Sequence, residues 1–117
     1  MTPIADRTFD FAVRIVKLCT VLNEKPGVSR TLAKQLLRSG TSIGANTVEA
    51  KSGQSRRDFL SKLEIALKEA RETESWLKLL VASDILPEAR VKSLLEEIDE
   101  IAKILVAITK KTKMNSK

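Results

Sequence analysis

Seven residues in the second half of this chain constrain its fold more than any other feature. Phe59, Leu63, Ala66, Ala70, Thr73, Leu77 and Leu80 stand four and three apart in strict alternation. That is a repeat of 3.5, the seam of a helix that packs along its whole length with a left-handed twist. Leu60, Leu67 and Val81 flank it at multiples of seven. One helix cannot bury such a seam alone, so partner helices must come from the rest of the chain.

Three further segments supply them. A first helix is expected from about Asp6 to Glu24, with Phe11, Ile15, Leu18 and Leu22 on one stripe, and Lys25-Pro26-Gly27 ends it. A second opens near Val28-Ser29 with Ser29 as N-cap. It carries Leu32, Leu36, Ser39 and Ile43 inward and stops at Ser52-Gly53, where glycine is the expected terminator. Ser55 and Asp58 have the spacing of a capping box ahead of the third helix. Pro87 suits the first turn of a fourth, with Glu88 favourably near its N-terminal dipole, and Leu94, Ile98, Ile101, Leu105 and Ile108 repeat the seam. Short connections make successive helices antiparallel neighbours. The predicted fold is all-α, an antiparallel up-down-up-down four-helix bundle over residues 1–109, followed by a basic disordered tail over 110–117.

Only 3% of residues are aromatic, so the core must be aliphatic. Helix one has apolar residues on more than one stripe, and Val91, Leu95, Ala102 and Val106 lie beside the seam of helix four. Such a surplus implies a partner surface and a homo-oligomer. No apolar run approaches the ~20 residues that cross a bilayer, and no signal-peptide pattern opens the chain. With Cys19 as the single cysteine, a reduced, cytoplasmic setting is expected.

Catalytic constellations are hard to build from these residues. The chain has no histidine, which removes the commonest general base near neutral pH and the commonest metal ligand. Ser39 and Ser42 have no base to activate them. Cys19 sits among apolar neighbours and reads as a buried structural thiol rather than a nucleophile. Glu96, Glu97, Asp99 and Glu100 read as a solvated helix face rather than a metal site. The chain therefore reads as a non-enzyme with no cofactor.

What remains is a groove and a charge. Leu36 to Ala50 packs Ser39, Gly40, Ser42, Gly44 and Ala45 into one helical stretch. Interior glycine costs about 1 kcal/mol against alanine, so close approach of another helix or a ligand is expected there, at Gly44 and Ser39 above all. Asn46 and Glu49 follow on one face. They read either as a polar pair that fixes helix register, bonding to Arg38, Ser39 or a neighbour's backbone, or as a specificity site. The net charge is +6, from 21 basic and 15 acidic residues, which favours an anionic partner such as nucleic acid. Arg30, Lys34 and Arg38 form one stripe. Lys25, Lys51, Arg56 and Arg57 lie at the helix junctions, and Lys110, Lys111, Lys113 and Lys117 in the tail. Solvated surface is the plain reading of these groups and phosphate binding its rival. With so few aromatics, recognition would run through backbone charge and shape rather than base stacking.

The same stretch resembles a known family. Arg38, Ser39, Ser42, Ile43, Asn46 and Glu49 match the pattern Arg-Ser-x-x-Ser-Ile-x-x-Asn-x-x-Glu of the four-helix-bundle proteins encoded in intervening sequences of bacterial 23S ribosomal RNA genes. A second block, Phe59, Leu63, Ala66, Glu72 and Thr73, and the leucines Leu77, Leu79 and Leu80 extend the resemblance from about Phe11 to Ile108. Ala50 and Lys51 stand where that family usually has glycine, and Ile85 or Leu86 where it has an aromatic residue. The resemblance implies a ring-like homopentamer and an RNA partner. The accessory proteins of diversity-generating retroelements, which pair with a reverse transcriptase, resemble the same family and are the alternative context. A structural oligomer without a nucleic-acid ligand is the third reading.

Overall fold

A computed structural model describes residues 2–115. Four helices account for most of them: α1 (Ile4–Leu22), α2 (Val28–Lys51), α3 (Arg56–Ala82) and α4 (Glu88–Met114). No strand occurs among the described residues. Each helix packs on its neighbours in sequence, and α1 also closes against α4, its least extensive contact. The result is an all-α four-helix bundle, 50 × 22 × 21 Å.

The seam forms the core. Leu63, Ala66, Ala70, Thr73, Leu77 and Leu80 of α3 are buried, as are Phe11, Ile15, Leu18 and Leu22 of α1 and Leu94, Ile98, Ile101 and Leu105 of α4. Phe59, Leu32 and Ile108 pack against this cluster while partly exposed. In α2 the buried line is wider than expected, because Ala33, Gly40, Thr47 and Ala50 join Leu36, Ser39 and Ile43. A face of small residues lets both α1 and α3 approach.

The helix ends differ from expectation in instructive ways. Ser55 caps α3, its hydroxyl accepting from the Asp58 amide at 3.1 Å. Ser29, expected to cap α2, lies inside the helix; Gly27 is the cap residue, at φ 93°. The Ser29 hydroxyl instead donates to the Leu22 carbonyl at 2.8 Å, satisfying an orphan acceptor at the end of α1. Gly53 does not take the left-handed conformation of a terminator. It is small because a Cβ there would stand 3.2 Å from the Ala50 carbonyl oxygen and from Asp58 Cβ. Pro87 precedes α4 as its cap rather than entering its first turn.

The tail is shorter than expected. α4 continues through Met114, so Lys110, Lys111 and Lys113 are helical. Three contacts hold that end: the Thr112 hydroxyl donates to Ile108 O, Lys113 pairs with Glu64 at 3.2 Å, and Arg56 donates to Asn115 O at 2.6 Å. Lysines in the last turn also complement the helix dipole. Lys117 lies outside the described residues. The apolar surplus is redistributed too: Val91 is buried, Leu95 and Ala102 are partly so, and α4 exposes Val106 and Met114.

Candidate functional site

The small-residue stretch of α2 docks two helices, α3 at Ser39 and α1 at Gly40 and Gly44. Ser39 and Thr73 are fully buried and their hydroxyl oxygens lie 2.9 Å apart across the α2–α3 interface. Beside them Arg38 reaches over to Glu72 and, at 3.4 Å, to the largely buried Glu69. Glu72 also accepts from the Trp76 indole at 3.3 Å. Burial pushes the Glu72 carboxyl up, but Arg38, Trp76 and Lys68 together hold it below its usual range. Ile43 is a core residue. Ser42 donates to Ser39 O, and the Asn46 amide to Ser42 O at 2.8 Å, both within α2. Glu49 pairs instead with Lys62 of α3 at 2.8 Å. Asn46 and Glu49 thus share a face but not a partner.

The tightest approach in this strip is at Gly40 rather than Gly44. A Cβ on Gly40 would stand 2.8 Å from Ile15 Cγ2, whereas one on Gly44 would meet Thr8 Oγ1 at an ordinary 3.4 Å. Ala45 is exposed and lines a groove together with Gly44, as expected. Above Gly44 an open apolar depression of about 470 Å³ runs between α1 and α2, flanked by Phe9, Ala12 and Val48. Phe9 is 67% exposed and Val48 56%. Val13, Val16 and Leu37 extend this apolar face along the same pair of helices.

The basic residues do not form one surface. Antiparallel packing puts Lys51, Arg56 and Arg57 of the α2–α3 junction at the same end of the bundle as Lys110, Lys111 and Lys113 of α4, as the Arg56–Asn115 and Lys113–Glu64 contacts attest. Lys25 is at the other end, with Arg30 and Lys34 on the adjoining turns of α2. Arg30 donates to Asn23 O at 3.0 Å, and Lys34 lines a small groove with Val16 and Leu37. Arg38, mid-helix, is engaged with Glu69 and Glu72. Two cations that the sequence reading passed over, Lys68 and Arg71 of α3, face Lys110 and Lys113 across a groove of about 550 Å³. Their signal in the sequence is the i, i+3 spacing within each pair.

The groups considered for catalysis are occupied structurally. Cys19 is buried, its thiol donating to Ala33 O at 3.4 Å, and burial pushes its pKa up to about 11. Of the acidic run in α4, Glu97 takes both arms of the Arg7 guanidinium at 2.7 and 3.0 Å, and Asp99 and Glu100 lie near Lys103. No group of carboxylates or thiols with the geometry of a metal site occurs among the described residues, and no helix among them is long and apolar enough to cross a membrane.

The model of the family described as 23S rRNA-intervening sequence protein matches residues 2–107. The chain is similar to the crystal structure of a protein of unknown function from the S23 ribosomal protein family from Bacteroides thetaiotaomicron. Their identity is 46% and the TM-score 0.86, with 92% of this chain and 99% of that chain covered. No curated protein matches.

Proposed function

The chain belongs to the 23S rRNA-intervening sequence protein family, and from that premise we propose that it is a small oligomeric, non-enzymatic bundle that binds structured RNA through a basic face. One observation carries the reading: the antiparallel topology gathers Lys51, Arg56, Arg57, Lys110, Lys111 and Lys113 at a single end, although the sequence spreads them over three elements. Phosphates spaced along a folded RNA suit such a cluster, and few aromatic residues are available to stack bases. Filter binding to structured RNA across a salt series tests it. Each phosphate contact should add about −0.7 to −0.9 to the slope of log affinity against log salt. An affinity that does not change with salt counts against it.

Self-association belongs to the same reading. The apolar face of α1 and α2, with Phe9, Val13, Val16, Leu37 and Val48 exposed, suits a second copy of this chain, and the five-subunit ring implied by the resemblance is the assembly we expect. Light scattering at micromolar concentration should give a multiple of 13.0 kDa; a monomer mass would refute it.

A further inference from the structure

Of the cations crowded at the end of the bundle where α3 begins, Lys113 has a carboxylate set against it. Glu64 of α3 stands 3.2 Å from its ammonium. Glu64 is also ringed by positive charge. Lys68 and Arg71 line the same groove from its own helix, Lys110 and Lys113 line it from α4, and Glu64 is the one acid in that lining. The nearby pair Glu49–Lys62 is different, because its lysine lies outside the basic cluster.

A carboxylate among such cations takes the place that one phosphate would take. Both present negative oxygens that accept from the same ammonium group, and two anions so close together repel. Exposure decides whether an internal anion of this kind can yield its place. Arg38 holds Glu69, which is largely buried, and opening that pair would strand a charge. Glu64 and Lys113 are both about half exposed. Such a pair adds little to stability and opens readily. We propose that Glu64 is a built-in competitor for the RNA backbone: it holds the place of one phosphate at Lys113 and so weakens RNA binding by the bundle end. This role rests on the RNA reading above.

Filter binding of structured RNA to the full chain across a salt series tests it, with Glu64→Gln set beside the wild type. The variant should bind about threefold more tightly at about 50 mM salt, where screening is weak. Its log–log slope should steepen by about 0.7–0.9, the value of one added phosphate contact. Adding Lys113→Gln to Glu64→Gln should cancel that gain in slope, since Lys113 makes the contact. Glu74→Gln removes the same charge from α3 where it pairs with Lys78, and should change neither affinity nor slope. The melting temperature of Glu64→Gln should stay within a few degrees of the wild type, as expected for an exposed pair. Equal affinity and slope for the wild type and Glu64→Gln would overturn the proposal and leave the RNA reading intact. An equal gain from Glu74→Gln would overturn it as well, because net charge alone would then be at work. If neither the wild type nor Glu64→Gln binds structured RNA, the proposal and the RNA reading fall together.

Discussion

Gly40 of α2 lies so close to Ile15 of α1 that a Cβ built on the glycine would stand 2.8 Å from Ile15 Cγ2 and 3.0 Å from Cγ1. Ile15 is fully buried, and a β-branched side chain in a helix has one strongly preferred rotamer. It cannot swing aside. Overpacking costs about 1–3 kcal/mol and helix propensity returns about 1, so Gly40→Ala should destabilise by up to about 2 kcal/mol in urea unfolding. Gly44→Ala meets only ordinary contact with Thr8 and should stabilise by up to about 1 kcal/mol. Opposite signs at two glycines one turn apart are the expected outcome; equal signs would mean that Gly40 does not set the α1–α2 distance.

Asp84 holds the turn between α3 and α4 at φ 61°, in the left-handed region. The Ile85 and Leu86 amides both donate to Leu80 O there, at 3.0 and 3.1 Å. Aspartate tolerates this conformation at some cost and glycine at none. Asp84→Gly should raise stability by about 0.5–1 kcal/mol, read as a higher midpoint in thermal unfolding.

Arg7 and Glu97 tie α1 to α4 across the least extensive interface of the bundle. The bidentate bond from Arg7 holds the Glu97 carboxyl below its usual range against the opposing effect of burial. Because the folded pKa is depressed, the stabilisation is fully present above about pH 4.3, the unfolded value, and is lost as pH falls through the lower folded value. Glu97→Gln should therefore flatten the acid limb of a stability-versus-pH curve, with a loss of about 0.5–1 kcal/mol near neutrality.

Arg38 separates structure from binding. Its guanidinium is committed to Glu69 and Glu72, so Arg38→Gln leaves two carboxylates, one of them largely buried, without their cation. We expect a lower melting temperature with the salt slope of RNA binding unchanged, because this arginine neutralises carboxylates rather than phosphates.

The sequence carried the bundle because periodicity states which face of a helix is buried. Leu63 to Leu80 and Leu94 to Leu105 went inward as their spacing required. Periodicity is silent on axial register between helices, and there the reading fell short. Nothing in Arg38 itself says that Glu69 and Glu72 stand opposite. Nothing in Gly40 and Gly44 says which of them meets Ile15. The sequence joined Arg30, Lys34 and Arg38 into one basic stripe. Register instead occupies Arg38, leaves Arg30 and Lys34 toward one end, and brings Lys68 and Arg71 to Lys110 and Lys113. The lysines after Thr109 looked like a tail because their partners, Glu64 and the start of α3, are far away in the chain.

The direct test of the RNA reading removes charge from the crowded end without disturbing the fold. Lys51, Arg57, Lys110 and Lys111 are all exposed, and replacing the four with glutamine should leave the melting temperature within a few degrees. Filter binding to structured RNA is then compared with the wild type across a salt series. We expect affinity to fall for unrelated RNA sequences alike and the log–log salt slope to flatten by about three, from about 0.7–0.9 per lost contact. A wild type that binds no structured RNA, or a variant whose slope matches the wild type, would contradict the assignment of this end as the RNA-binding face.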